Sequence, residues 1–76
     1  MNQSRIPRQE FIDSYKESLG IEGTETLLKE VFQKLGLTHQ EDYSKEEALM
    51  ICKELKGYPG FPGIIAGILY SRFVIR

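Results

Sequence analysis

The sequence predicts an all-α domain: a small bundle of three to four short helices with a Pro/Gly break before the last. Three observations carry this. Apolar residues recur at helical spacing in four segments, stop and start signals separate those segments, and no two stretches alternate in a way that would pair as strands. The chain of 76 residues is long enough for one domain spanning 1–76 and no more.

The first segment is "PRQEFIDSYKESLG". Pro7 suits the first helical position, where its missing N–H costs nothing. Glu10 and Asp13 complement the helix dipole. Phe11, Tyr15 and Leu19 recur every four residues beside Ile12, which gives one apolar face. Gly20 is expected to stop the helix, with Ile21 folding back onto it. In "GTETLLKEVFQKLGL" the stripe is Leu27, Leu28, Val31, Phe32 and Leu35, and Gly36–Leu37 repeats the stop signal. The third segment, "SKEEALMICKELKG", opens with Ser44 and Glu47 at capping-box spacing. Ala48, Ile51, Cys52 and Leu55 then face inward. Before it, Thr38 to Glu41 has the spacing for one short turn.

The fourth segment, "FPGIIAGILYSRFVIR", follows the run "KGYPGFPG". It is apolar nearly all round, and Pro62 can open a helix. Its β-branched residues permit a strand, but a strand with no partner is not stable. A helix apolar on most faces is expected to lie deep, with the first three helices around it, or against a partner.

Composition excludes several functions. Ten Lys/Arg against eleven Asp/Glu give a net charge of −1, so no global field draws the chain to nucleic acid or an acidic membrane. One cysteine, Cys52, permits no internal disulfide and fits a reducing, cytoplasmic setting. The opening "MNQSRIPRQEF" has no apolar run of the kind a signal peptide needs. The longest uncharged run, Gly57 to Ser71, has fifteen residues with two prolines and four glycines. A bilayer span needs about 20 mostly apolar residues.

The chemical inventory is poor, and the chain is not expected to be an enzyme. His39 lies in a loop, and Cys52 sits on an apolar helix face with no glycine turn to present it. One His and one Cys cannot complete a zinc site, and "HQED" lacks the spacing and central glycine of a calcium loop. No cofactor fingerprint is present. "FIDSY" is similar to the Asp-Ser-Leu of acyl carrier proteins, but their serine opens the second helix and Ser14 lies within the first. Helix-turn-helix alignments on Gly36 or Gly57 place Phe32 or Lys53 where a small residue is required. "GYPGFPG" holds two Gly-X-Y triplets, too few for a triple helix.

What remains is an interaction module. Gly63-x-x-x-Gly67 permits close helix approach, and the uncharged run exceeds what three short helices cover. Tyr58, Phe61, Ile64, Ile68 and Tyr70 are the expected contact residues, for a second copy or for another protein. The alternative is a small nucleic-acid-associated regulator using Arg5, Arg8, Arg72 and Arg76, if the termini meet; the neutral net charge counts against it.

Overall fold

The structure, a computed structural model, describes residues 5–76; residues 1–4, which open the stretch read above as lacking a signal peptide, lie outside them. The order is β1 (Arg5–Pro7), α1 (Arg8–Leu35), β2 (Asp42–Ser44), α2 (Lys45–Lys56) and α3 (Phe61–Val74). The domain is therefore mostly helical, with three helices and a small two-stranded sheet. The sheet departs from the all-α expectation.

The strands pair antiparallel, Ile6 opposite Tyr43. Both side chains are fully buried, so the short ribbon acts as one more wall of the core. Arg5 Nε and Nη2 donate to the Asp42 carboxylate at 2.9 and 2.7 Å, and the Arg8 N–H donates to the Glu41 carbonyl at 2.8 Å. Pro7 ends the strand one residue before the helix, with φ −64° and ψ 141°. The Thr38–Glu41 turn does not form. Those residues form an irregular loop with a bend at Glu41 before β2, and the Tyr43 hydroxyl holds them by donating to the Thr38 carbonyl and accepting from the Gln40 N–H, both at 3.2 Å.

The helical segment 8–35 is two arms joined at Gly20, whose φ of 76° and ψ of 167° are not helical. A straight helix would set Arg8 and Leu28 about 30 Å apart. In the fold both line one groove, together with Phe32 and Gln33, so the chain reverses at the glycine. The sequence correctly marks Gly20 as the break, but its geometry is not a left-handed helical cap. Ile21 stays exposed rather than folding back. Only glycine is at ease at this φ/ψ. Gly20→Ala is expected to cost about 1–3 kcal/mol, read as a fall in the urea midpoint, although added side-chain atoms would meet nothing within 4 Å.

Gly36 does close its arm as predicted. Leu37 N–H donates to the Phe32 carbonyl at 2.9 Å and Gly36 N–H to that of Gln33 at 3.3 Å, the Schellman pair. The capping box of α2 is also formed. Glu47 N–H donates to Ser44 Oγ at 3.1 Å, and Ser44 N–H donates to Glu47 Oε1 at 3.0 Å.

The core unites every element. Phe11 and Tyr15 come from the first arm of α1, Leu28 and Val31 from the second, Ile51 and Leu55 from α2, and Leu69 and Phe73 from α3. The largest interface joins α2 to α3, and α1 meets both. Phe11 and Phe73 rings stack edge to face with centroids 5.5 Å apart. The Tyr15 hydroxyl donates to the Pro62 carbonyl at 2.8 Å, which ties the start of α3 to α1 across 46 intervening residues. The first three helical segments do not wrap around the last: α3 buries Ala66, Leu69 and Phe73, and its opposite face is open.

Candidate functional site

Phe61, Ile64 and Ile68 are 65%, 62% and 57% exposed. At 100° per residue they and Ile75 fall within about a 60° arc of the helix. Ile75, just past the end of α3, is 85% exposed. The stripe is about 21 Å long, and Ser71 and Arg72 interrupt it. Summed over its four side chains, the open apolar area is on the order of 500 Å², the size of the largest patch on an ordinary monomer and often a contact site. Ile75 was missed from sequence. Its signal was the seven-residue spacing from Phe61 to Ile68 to Ile75.

Tyr58 and Tyr70 are half-buried and do not join the stripe: Tyr58 precedes α3, and Tyr70 lies about 120° or more round the helix from it. Lys34 Nζ sits 5.1 Å above the Tyr58 ring and donates to its hydroxyl at 3.5 Å, and Lys56 Nζ sits 5.0 Å above the Tyr70 ring. Each tyrosine thus has a lysine covering part of its face. The tyrosine hydroxyl first, and the Glu30 and Glu54 carboxylates after it, push the Lys34 ammonium up from its ordinary value. Glu54 Oε2 is 3.7 Å from that ammonium. This clasp joins α1 to the end of α2 and to the turn before α3.

The run before α3 is a tight junction. Gly57 N–H donates to the Glu54 carbonyl and Tyr58 N–H to that of Leu55, at 3.2 and 3.0 Å. Gly63 packs on this turn: a Cβ there would overlap the Tyr58 carbonyl and press on the Lys56 carbonyl oxygen at 3.1 Å. Gly67, one turn on, has open space where its Cβ would be. The two glycines of the G-x-x-x-G pattern therefore do different work. Gly63 admits the protein's own backbone, and Gly67 leaves the outer face low. Gly63→Ala is expected to destabilise by about 1–3 kcal/mol through overpacking, whereas Gly67→Ala gains up to about 1 kcal/mol of helix propensity. Thermal melts of both variants check this opposition of sign.

The other residues singled out from sequence do not converge. Cys52 is fully buried in the core and His39 is exposed in the loop before β2. Burial pushes the Cys52 thiol up from 9.0 to about 12, against a smaller lowering by Lys56, which is the reverse of an activated nucleophile. No cluster of three His, Cys, Asp or Glu that could hold a metal occurs among the described residues. Of the four arginines, Arg5 is paired with Asp42. Arg76 is held by both Glu10 carboxylate oxygens, at 2.8 and 2.7 Å. The charges of Arg5 and Arg76 are spent within the fold, while Arg8 and Arg72 belong to no ion pair among the described residues. Among the described residues, no helix is long and apolar enough to cross a membrane.

Compared with protein-family models, curated proteins and solved structures, the chain finds no match.

Proposed function

We propose that this protein is a small helical interaction module that self-associates through the outer face of α3. The observation that carries the reading is the stripe of Phe61, Ile64, Ile68 and Ile75, which is open to solvent along a helix whose other face is core.

A second copy is the occupant that suits this stripe, because the stripe is self-complementary. Ile68 is its midpoint in sequence. An antiparallel pair of α3 helices about a two-fold axis sets Ile68 against Ile68 and Phe61 against Ile75. It also carries each Arg72 away from its symmetry mate, toward Ile64 of the other copy. A parallel pair would oppose the two arginines. Gly67 beside the axis lets the helices approach closely. Such a contact is isologous, as most small homodimers are. The stripe and its flanks on two copies would bury roughly 1,000 Å², the low end for a specific complex. Affinity in the micromolar range is expected.

Sedimentation velocity over a micromolar concentration series is the test. The wild type is expected to shift from monomer to dimer with rising concentration. Ile68→Glu, which sets two carboxylates face to face at the axis, is expected to stay monomeric with an unchanged thermal melt at low concentration. A wild type that stays monomeric at the highest concentrations, or an Ile68→Glu variant that dimerises equally well, would overturn the reading.

A further inference from the structure

Gly20 alone among residues 8–35 leaves helical φ/ψ, so the two arms of α1 meet with no loop between them. One residue therefore separates the folded hairpin from a single straight helix of about 42 Å. Gly20 is exposed, and a Cβ there would meet nothing within 4 Å, so no neighbour packs against this hinge.

A straight α1 could not bury itself on one body. At 100° per residue, Phe11, Ile12 and Tyr15 of the first arm centre about 180° away from Leu27, Leu28, Val31 and Phe32 of the second. Every one of these is a core residue. Burying both faces of a straight helix takes two bodies, and the second arm already has its own. The first arm then needs the same surface on another copy. Its long-range contacts lie beyond the hinge: β1 pairs with β2, Glu10 with Arg76, Phe11 with Phe73, and the Tyr15 hydroxyl with the Pro62 carbonyl. Each can form between two chains with its geometry unchanged.

We infer that β1 and the first arm of α1 exchange between two copies of the chain by straightening at Gly20. Glycine is at ease both in the turned-back conformation and in a helix, so the balance falls to concentration. Dilute chains close on themselves, and concentrated chains exchange. A hinge with no slack favours exchange over closure. Two straight helices side by side also bring their residue-20 turns together. Ile21, 53% exposed in the single copy, gains an apolar neighbour there. The outer face of α3 takes no part, so the inference does not rest on the α3 stripe.

The test is refolding from urea followed by size-exclusion chromatography. All chains carry Ile68→Glu, so that the two readings fail separately. Refolded at millimolar concentration, the chain with Gly20 is expected to give a dimer fraction that is absent after refolding at micromolar concentration. Gly20→Ala penalises the turned-back form and favours the straight helix in both chains. It is expected to raise the dimerisation constant about a hundredfold or more. Gly-Ser-Gly inserted after Gly20 slackens the hinge and is expected to keep the chain monomeric.

Pro7→Cys with Asp42→Cys identifies the exchange. These two face each other across the strand pair, within disulfide reach for an antiparallel ladder. On a non-reducing denaturing gel the oxidised exchanged dimer runs as two joined chains. A monomer, or a dimer through any other surface, runs as one. A Gly20→Ala protein that stays monomeric at millimolar concentration, or whose dimer gives only single chains, overturns the inference. So does an insertion variant that dimerises as readily. If Gly20→Ala does not fold, the chain with Gly20 refolded at millimolar concentration decides on the same gel: joined chains support the exchange, and single chains overturn it.

Discussion

Phe73→Ala is expected to remove about 3–5 kcal/mol of stability, which for a domain of this size is a large part of the whole. Phe73 is fully buried, in the last turn of the last helix. Its ring meets the edge of Phe11 on the first helical turns, and the Arg76 guanidinium lies 5.7 Å from its centroid. Truncation leaves a cavity where the end of α3 packs on the start of α1. It also withdraws an aromatic pair worth about 0.5–1.5 kcal/mol beyond its area. Phe61→Ala provides the contrast. The same change on the same helix, at a position 65% exposed, should alter stability by under about 0.5 kcal/mol. Urea unfolding of both at low protein concentration reads the difference, and equal midpoints would contradict the assignment of inner and outer faces to α3.

Stability should also decline steeply in alkali. Burial raises the Cys52 thiol from 9.0 to about 12. Burial first, and the neighbouring Cys52 second, raise the Tyr15 phenol from its ordinary value of 10.0. Its proton is committed besides to the Pro62 carbonyl. In each case the folded protein keeps a proton that the unfolded chain releases. The stabilisation is whole below the unfolded values and is lost as pH rises through the folded ones. The decline therefore begins near pH 9.0 with Cys52, is joined above 10.0 by Tyr15, and runs on toward 12. Its limiting slope is about 1.4 kcal/mol per pH unit for each group. Denaturant midpoints from neutral pH upward should follow this curve. Cys52→Ala, though less stable at neutral pH, should lose stability less steeply between about pH 9 and 10. A matching slope in the variant would remove Cys52 as the cause. Folded protein should likewise be inert to thiol reagents until it unfolds.

The elements most legible in the sequence are those set by short-range physics. Ser44 and Glu47 lie three residues apart, and the box they form needs nothing beyond one helical turn. Leu37 closes on Phe32 for the same local reason. The buried positions of α2 and of both arms of α1 follow from a period of 3.6 residues, which any amphipathic helix displays.

The sheet was not legible. Three residues are too few to show an alternation, and Arg5–Pro7 and Asp42–Ser44 become strands only because the core brings Ile6 onto Tyr43. Nor does a sequence say which way a glycine turns. Gly20 and Gly36 stand in similar "LG" contexts, yet one reverses the chain and the other caps a helix.

By itself, then, the sequence determined the helical segments, their breaks and their local caps, because those energies are exhausted within a turn or two of chain. The tertiary structure alone decided which side of the uniformly apolar α3 is core. A helix apolar all round has no moment to orient it. The choice fell to distant partners: Phe11 for Phe73, Tyr15 for Pro62, and the Tyr58 carbonyl pressed on Gly63. The face left over, from Phe61 to Ile75, is the one open to solvent.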